Sequence, residues 1–425
     1  MLRRWRRRLR DQIDEYPRPF WILVGVTFVD MLGASLLFPY FSLYATQRFA
    51  IGMTQVGIAL GLFSLSDMIG NVLGGALTDR MGRKKMVIFG LVTSAGVTLL
   101  LGLVPTFDLF IAAALLIGTF ATIAGPARQA MVADLLPESR RAEGFGILRV
   151  SFNLAVTIGP AIGGLMAARS YLLLFISDAV LSLITAVIIL MALPETRPSL
   201  RMAGQPRESM GQTFAGYGTV LRDTVFVVFC ALCVLMSVVY IQMNTTLGVF
   251  LRDVHGIEPV RYGYILSMNA AMVVLFQFGV TRRIKRVPPF QAMAMGVALY
   301  AVGFAMYGMV AEYGLFLTAM VVITIGEMIV APVSQALVAG MAPADKRGRY
   351  MAVFGFSWVI PGAVGPLLAG LILDNLDPSW LWLGAGAVGM ISAAGFAAMH
   401  RWTQSRAARL AQPGLSAAPG IDGGR

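Results

Sequence analysis

Twelve long apolar segments run through almost the whole sequence, and they constrain the fold more than any other feature. A helix needs about 20 apolar residues to cross the hydrocarbon core of a bilayer. Charged residues make up only 13% of the chain, against about 25% in soluble domains. In lipid, each backbone N–H and C=O must find its partner within the protein, which long helices achieve. The sequence therefore predicts an all-α membrane protein whose transmembrane helices cover residues 20–44, 54–79, 85–105, 107–136, 141–168, 171–193, 223–251, 259–282, 289–311, 313–341, 348–373 and 379–401.

The positive charges predict how these helices are oriented. The chain has 34 Lys and Arg residues and a net charge of +12, which could also suit a nucleic-acid partner. Most of these cations, however, lie in loops on one side of the predicted spans. The exceptions lie in the opposite loops or within spans: Arg48, Arg169, Arg252, Arg261, Arg128 and Arg149. Because cytoplasmic loops are enriched in Lys and Arg, we expect both termini in the cytoplasm and no nucleic-acid partner.

Three polar segments divide the chain. Residues 1–19 are rich in Arg and are expected to form a cytoplasmic arm that lies on the anionic inner leaflet of the bilayer. Residues 194–222 contain Pro, Gly and Arg and are expected to be a cytoplasmic linker between two six-helix bundles, 20–193 and 223–401. Residues 402–425 are rich in Ala, Gly and Pro and are expected to form a disordered cytoplasmic tail.

An internal repeat supports the division into two halves. A shift of 206 residues places Gly57 on Gly263, and the same shift aligns a longer stretch around the end of the fourth span. That stretch contributes the pairs Pro126 and Pro332, Gln129 and Gln335, Pro137 and Pro343, and Arg141 and Arg347. A single ungapped shift of this kind predicts two parallel six-helix repeats, an architecture of transporters that handle substrate near the membrane midplane.

The turn between the second and third spans, GALTDRMGRKK at 75–85, concentrates charge around one glycine. Asp79 ends one helix, and Gly82 permits a tight turn before the next. One explanation of this stretch is that it only fixes the orientation of the chain in the membrane, for which cations alone suffice. The repeat, however, places Lys285 and Pro288 at the positions of Asp79 and Gly82. The acid and the glycine therefore belong to the first turn only, and only the first half is expected to hold a conformational switch.

Two motifs resemble those of the major facilitator superfamily. The turn matches that family's pattern G-x-x-x-D-R-x-G-R-[RK] through Gly75, Asp79, Arg80, Gly82, Arg83 and Lys84. The fifth span is similar to a G-x-x-x-G-P-x-x-G-G motif of its proton-coupled antiporters through Gly159, Pro160, Gly163 and Gly164. Ala155 replaces the first glycine of that motif. The resemblance covers essentially the whole chain, implies the twelve-helix fold of the family, and favours its drug:proton antiporters over its sugar symporters.

The resemblance also implies a function and a role for each motif. A drug:proton antiporter exports a small-molecule substrate at the expense of a proton gradient and needs no cofactor. We expect such a protein to act as a monomer in the bacterial cytoplasmic (inner) membrane. In the family, the carboxylate at the position of Asp79 is a latch of the outward-facing state, and a carboxylate there can meet a helix N-terminus or a guanidinium group. Arg83 is expected to pair with Asp134, and the motif around Pro160 to act as a hinge.

Charged side chains inside the predicted spans are candidates for proton and substrate coupling. A charge at the centre of a spanning helix costs about 2.5–3.5 kcal/mol on insertion scales, so it needs a reason to be there. Asp30, Arg128 and Arg149 lie at similar depth, which predicts a buried pair of Asp30 with one of the two arginines. Such a pair could also be purely structural. Asp67 is a further candidate, and Asn153 is expected to share a polar face of its helix with Arg149.

Glu327 is the candidate in the second half. It lies near the middle of the tenth span, the repeat puts Ala121 at its position, and no cation is evident at its depth in its own half of the chain. A desolvated carboxyl group could bind and release a proton near neutral pH, or attract a cationic substrate. Asp178 lies closer to a helix end in the sixth span, where a structural role is the simpler explanation.

Other function classes fit the sequence less well. A metabolite transporter of the same fold would need more polar recognition groups in its spans than Asn153, Gln242, Asn244, Asn269 and Gln277. An intramembrane serine protease would need a base beside Ser357, but both histidines lie at or beyond span ends. Cys230 and Cys233 lie in an apolar run, where no metal or redox role is expected. The chain also has no G-x-x-x-x-G-K-[ST] loop, so ATP-driven transport by this chain alone is not expected.

Overall fold

The computed structural model describes residues 15–196, 218–343 and 346–410. These residues fold into α-helices without β-strands, and twelve helical segments are long and apolar enough to cross a membrane. The predicted all-α fold with twelve spans is therefore confirmed. The segment 197–217 of the predicted linker, residues 1–14 of the predicted arm and residues 411–425 of the predicted tail lie outside the described residues.

The first six spans pack against one another as one bundle, called here the first bundle. Its helices are α1 (Arg18–Leu37), α2 (Phe41–Phe49), α3 (Met53–Met81), α4 (Arg83–Leu103), α5 (Phe107–Thr122), α6 (Gly125–Leu135), α7 (Glu138–Ala167) and α8 (Leu172–Ala192). Two spans predicted as continuous are interrupted, because Pro39 lies in a short 3₁₀ turn between α1 and α2 and Pro126 lies in the first turn of α6. Proline lacks the N–H that a continuing helix requires. Pro160, in contrast, stays inside the unbroken helix α7.

The last six spans form the second bundle. Its helices are α9 (Thr224–Thr245), α10 (Leu247–His255), α11 (Pro259–Ile284), α12 (Pro289–Tyr307), α13 (Tyr313–Met341), α14 (Arg347–Asn375) and α15 (Ser379–Leu410). The prediction of one continuous helix over 223–251 is wrong at Thr246, whose hydroxyl donates to Gln242 Oε1 at 2.6 Å and competes with the helical pattern. Helix α15 continues to Leu410, so part of the segment predicted to be disordered is helical.

The two bundles meet along two helix crossings that the repeat relates to each other. In the first, α3 crosses α14, and a Cβ added to Gly57 would lie 2.6 Å from the Pro366 carbonyl oxygen. In the second, α7 crosses α11, and a Cβ added to Gly263 would overlap the Pro160 carbonyl oxygen. The shift of 206 residues that aligns the two halves converts the first contact into the second. The predicted repeat is thus present in three dimensions.

Polar contacts between the bundles are concentrated at the end of the molecule that holds the loop between α2 and α3, called here the far end. The Asp374 carboxylate accepts hydrogen bonds from the backbone N–H groups of Met53 and Thr54 at 2.9 and 2.7 Å. Arg252 donates to the Leu43 carbonyl at 3.1 Å and to the Thr46 hydroxyl at 3.0 Å. The opposite, near end carries the turn at Gly82. The predicted orientation would make the far end extracellular.

Candidate functional site

A cavity of about 370 Å³ lies between the two bundles, near the middle of the spans. Residues of α1, α7, α9, α11 and α13 form its walls, and most of its lining is apolar. Its polar lining residues are Ser35, Asn153, Tyr240, Asn244, Asn269 and Glu327. Substrate sites of transporters built from two repeats lie at this position between the halves. We call it the central cavity.

Glu327 is held in the wall of the central cavity by two neighbouring helices. The Tyr240 hydroxyl donates to Oε1 at 2.9 Å, and the Asn269 side-chain amide donates to Oε2 at 2.8 Å. The same amide also donates to the Thr324 hydroxyl at 2.9 Å, which fixes its orientation. Among the described residues that line the cavity, none is Lys, Arg or His. The carboxylate therefore has hydrogen-bond donors but no cation beside it, as the sequence predicted.

A second cavity, of about 170 Å³, lies inside the first bundle and is called here the side cavity. Asp30, Arg128 and Asp178 lie on its wall. The Arg128 guanidinium forms a salt bridge with the Asp30 carboxylate, and the Ser182 hydroxyl donates to the same carboxylate at 3.3 Å. Of the two pairs that the sequence left open, the structure contains Asp30–Arg128.

Arg149 is not the arginine that pairs with Asp30. It lies on the exposed face of α7, and its guanidinium donates across the bundle interface to Gln335 Oε1 at 3.1 Å. Asn153, one helical turn further along α7, does line the central cavity. Arg149 itself is not among the residues that line the central cavity, and the polar face predicted for it and Asn153 remains a prediction.

Asp67 also lies apart from both cavities. It is half-buried on α3, and its backbone carbonyl accepts a hydrogen bond from the Thr122 hydroxyl at 3.1 Å. It lines neither the central nor the side cavity. Its coupling role remains a prediction from the sequence.

The charged turn at the near end has the geometry that its glycine requires. Gly82 adopts φ 95° and ψ 159°, a conformation nearly restricted to glycine. Arg83 Nε lies 3.3 Å from Asp134 Oδ2, so the predicted pair is present. The side chains of Asp79 and Arg80, and the surroundings of Gly75, lie outside the described part of the structure. The latch role of Asp79 therefore remains a prediction.

Glu195 is a partner of this turn that the sequence analysis missed. Its carboxylate accepts hydrogen bonds from the backbone N–H groups of Arg83 at 2.8 Å and Lys84 at 3.3 Å. It thereby satisfies free donors at the N-terminus of α4, where negative charge is favourable. The Lys84 ammonium group donates to the Leu190 carbonyl at 2.7 Å. The available signal was a lone acid just after a span, opposite a helix start, but nothing in the sequence linked the two segments.

The glycines of the fifth span lie where α7 approaches α1 and α11. A Cβ at Gly159 would overlap Ser35, and one at Gly163 would lie 2.5 Å from the Leu36 carbonyl oxygen. Gly164 faces the Pro259 carbonyl of the other bundle, and the Tyr40 hydroxyl donates to the Pro160 carbonyl. These residues allow three helices to pack closely at the far end. Their role as a hinge remains a prediction.

The fold and the central cavity define a membrane transporter rather than an enzyme. The chain belongs to the major facilitator superfamily, whose family model matches residues 23–332 and 291–416. The family resemblance read from the sequence is confirmed.

Three relatives illustrate the range of this family. The MFS-type transporter YttB of Bacillus subtilis (strain 168) is 28% identical, over 84% of this chain and 89% of its own. A Na(+), Li(+), K(+)/H(+) antiporter of Planococcus maritimus is 24% identical, over 83% and 87%. The multidrug resistance protein MdtH of Shigella flexneri is 26% identical, over 89% and 93%. A crystal structure of a POT family transporter, with a bound thioalcohol-conjugated peptide, shares the fold at a TM-score of 0.75 and 15% identity, over 93% of this chain and 97% of that one.

Proposed function

We propose that the protein exports lipophilic, positively charged compounds across a bacterial cytoplasmic membrane in exchange for protons. The observation that carries this proposal is the central cavity, whose walls are mostly apolar and whose only charged lining group among the described residues is the Glu327 carboxylate. An apolar wall suits a lipophilic body, and one fixed carboxylate suits a single positive charge. The energy source is the proton gradient, and no cofactor is involved.

The surroundings of Glu327 favour a cation over an anion or a sugar. The two groups that touch its carboxylate, Tyr240 and Asn269, are neutral hydrogen-bond donors, so its charge is not cancelled within the cavity. In a cavity of low polarity, an uncompensated carboxylate attracts a cation far more strongly than it does in water. Tyr240 also lines the cavity, and an aromatic ring can attract a positively charged group.

Two relatives support the direction and the coupling of transport. One is named a multidrug resistance protein and another a cation/H(+) antiporter, and both match most of this chain. In the proposed cycle the far end closes through Asp374 and Arg252 while the near end admits substrate. The near end then closes through the charged turn at Gly82, and the far end releases the substrate. The protein acts as a monomer with its termini on the cytoplasmic side, where its basic segments face anionic lipid.

A transport assay with matched glutamate variants tests the role of Glu327. Everted vesicles that contain the wild type should accumulate a lipophilic cation such as tetraphenylphosphonium, and an uncoupler should abolish the accumulation. In Glu327→Gln, which keeps the size and removes the charge, we expect accumulation to fall at least tenfold.

Glu312→Gln is the control, because Glu312 directly precedes the same helix and is exposed at the far end of the molecule. This variant should transport like the wild type. Equal accumulation by Glu327→Gln and Glu312→Gln would contradict the proposed role of Glu327.

The alternative is a metabolite transporter of the same fold. The amide side chains of Asn153, Asn244 and Asn269 on the cavity wall favour it, because they could bind a polar solute. Among transporters of this fold, solved structures include one with a bound peptide. Uptake of labelled peptides, nucleosides or sugars by the same vesicles, without transport of the lipophilic cation, would decide for this alternative.

A further inference from the structure

We propose that the exchanged proton is carried by Asp178, in the side cavity of the first bundle, and not by the substrate-facing Glu327. The inference rests on the proposed function and deepens it, because it separates the proton site from the substrate site. Its basis is the group of charged residues in the side cavity, Asp30, Arg128 and Asp178, none of which lines the central cavity.

The side cavity brings two carboxylates and one guanidinium group together from three helices. Asp30 comes from α1, Arg128 from α6 and Asp178 from α8. Asp30 and Asp178 are each only 7% exposed. No other charged or titratable side chain of the described residues lines this cavity. The adjoining helix α4 contributes the hydroxyls of Ser94 and Thr98 instead.

The hydrogen bonds of these groups are unequally satisfied. The Asp30 carboxylate has the Arg128 guanidinium and the Ser182 hydroxyl. Within the described part of the chain Asp178 has no salt bridge. Its polar neighbour Thr98 is completely buried, and there the Thr98 hydroxyl makes no hydrogen bond of normal geometry. A buried hydroxyl without a partner needs an explanation. A proton on Asp178 supplies one, because the carboxylic acid it forms can donate to the Thr98 hydroxyl.

The charges in the cavity lead to the same conclusion. Arg128 balances Asp30, so an ionised Asp178 would leave one uncompensated negative charge in the interior of a membrane protein. Such a charge is costly unless it is neutralised. One proton restores neutrality. Each cycle then forms one O–H bond on the Asp178 carboxylate and breaks it again on the other side, with no other covalent change. Exchange of one proton for one monovalent cation leaves the net charge of the protein unchanged.

The repeat shows that the side cavity is specific to the first bundle. The shift of 206 residues places Ser334 at the position of Arg128 and Phe304 at the position of Thr98. Conversely, Ala121 stands at the position of Glu327 and lines the side cavity without charge. The two bundles have therefore acquired different polar centres on one scaffold. This difference suits a division between a proton site and a substrate site.

Helix α1 provides the physical connection between the two sites. Its residues Met31 and Ala34, together with Phe38 just after its end, line both the central cavity and the side cavity. Asp30, the neighbour of Met31, is the residue that holds Arg128. A substrate that displaces this wall therefore changes the surroundings of Asp178, which is how binding in one cavity favours proton release from the other.

Proton release by the purified protein tests the assignment. In weakly buffered detergent solution, tetraphenylphosphonium added to the wild type should release protons, which a pH indicator reports. Asp178→Asn, which resembles the protonated acid, should bind tetraphenylphosphonium within about threefold of the wild-type affinity but release at least tenfold fewer protons. Glu327→Gln should lose binding instead. Asp108→Asn, at the exposed start of α5, is the control and should behave like the wild type.

Several outcomes would overturn the assignment. The first is that Asp178→Asn releases as many protons as the wild type. The second is that Glu327→Gln still binds tetraphenylphosphonium but no longer releases protons. The third is that binding requires sodium ions and releases no protons. A wild type that binds no tetraphenylphosphonium would contradict the proposed function instead.

Carbodiimide labelling of the wild type provides a second test that needs no variant to fold. Dicyclohexylcarbodiimide reacts with protonated carboxyl groups in apolar surroundings, and mass spectrometry locates the adduct. Labelling of Asp178 should fall as the pH rises through the neutral range. This result would support the proton site even if the substrate is not a lipophilic cation. Labelling of Glu327 with none on Asp178 at any pH would overturn the inference.

Discussion

Gly82 shows at the scale of one residue why the charged turn at the near end depends on more than charge. Its backbone angles, φ 95° and ψ 159°, suit glycine almost alone. A Cβ at this position would also lie 2.7 Å from the Glu195 carboxylate, which caps the next helix. Any other residue at this position would therefore strain the backbone and collide with the Glu195 carboxylate.

We expect Gly82→Ala to destabilise the turn by about 1–3 kcal/mol, the usual cost of a backbone conformation that a side chain disfavours. Insertion into the membrane should be unaffected, because the cations of the turn remain. The temperature of thermal unfolding and the rate of transport into vesicles should both fall. Gly146→Ala is the control, since Gly146 lies in α7 with open space around it. Equal transport by the two variants would mean that the turn serves orientation alone.

At the scale of elements, the closure of the far end depends on one helix capping another. Asp374, at the end of α14, places its carboxylate on the first two N–H groups of α3, which belongs to the other bundle. Charge-assisted hydrogen bonds of this kind are about twice as strong as neutral ones. The positive end of the α3 dipole adds to the attraction. This contact exists only while the far ends of the bundles are together.

We expect Asp374→Asn to favour opening at the far end, because the amide keeps the shape and loses the charge. Labelling of a cysteine introduced at Asn244, in the central cavity, by an impermeant maleimide added from the far side should become at least threefold faster. In Asp377→Asn, whose carboxylate caps only the neighbouring Ser379 in the same bundle, the rate should stay at the wild-type value. Equal rates in both variants would show that Asp374 does not hold the far end closed.

At the scale of the whole molecule, the sequence predicted what depends on composition and periodicity. The twelve spans, the repeat and the Arg83–Asp134 pair follow from apolar length, from an internal shift and from residues at adjacent helix ends. The choice between Arg128 and Arg149 did not follow, because both lie at similar depth and only the packing of the helices decides which one faces Asp30. The importance of Asp178 was missed for the same reason, because its neighbours Asp30 and Thr98 come from other helices.

The paired crossings predict that the two halves associate without a covalent link. Co-expressed chains of residues 1–205 and 206–425 should assemble and transport, because both crossings bury their contacts between bundles. Affinity purification of one half should recover the other. Gly57→Leu in the first half should reduce recovery at least fivefold, since its side chain would meet the backbone at Pro366. Gly25→Leu, at a position without close neighbours, is the control. Equal recovery with both variants would contradict this origin of the association.

The equivalence of the two crossings also bears on how the chain arose. Gly57 faces Pro366 as Gly263 faces Pro160, and Gly370 faces Met53 as Gly164 faces Pro259. A six-helix protein with one such glycine and one such proline would bind a second copy of itself through both crossings at once, as two-fold symmetric dimers do. Duplication and fusion of its gene would leave the present pair of crossings. Once both copies were on one chain, each was free to change alone, and an acid could appear in one half without appearing in the other.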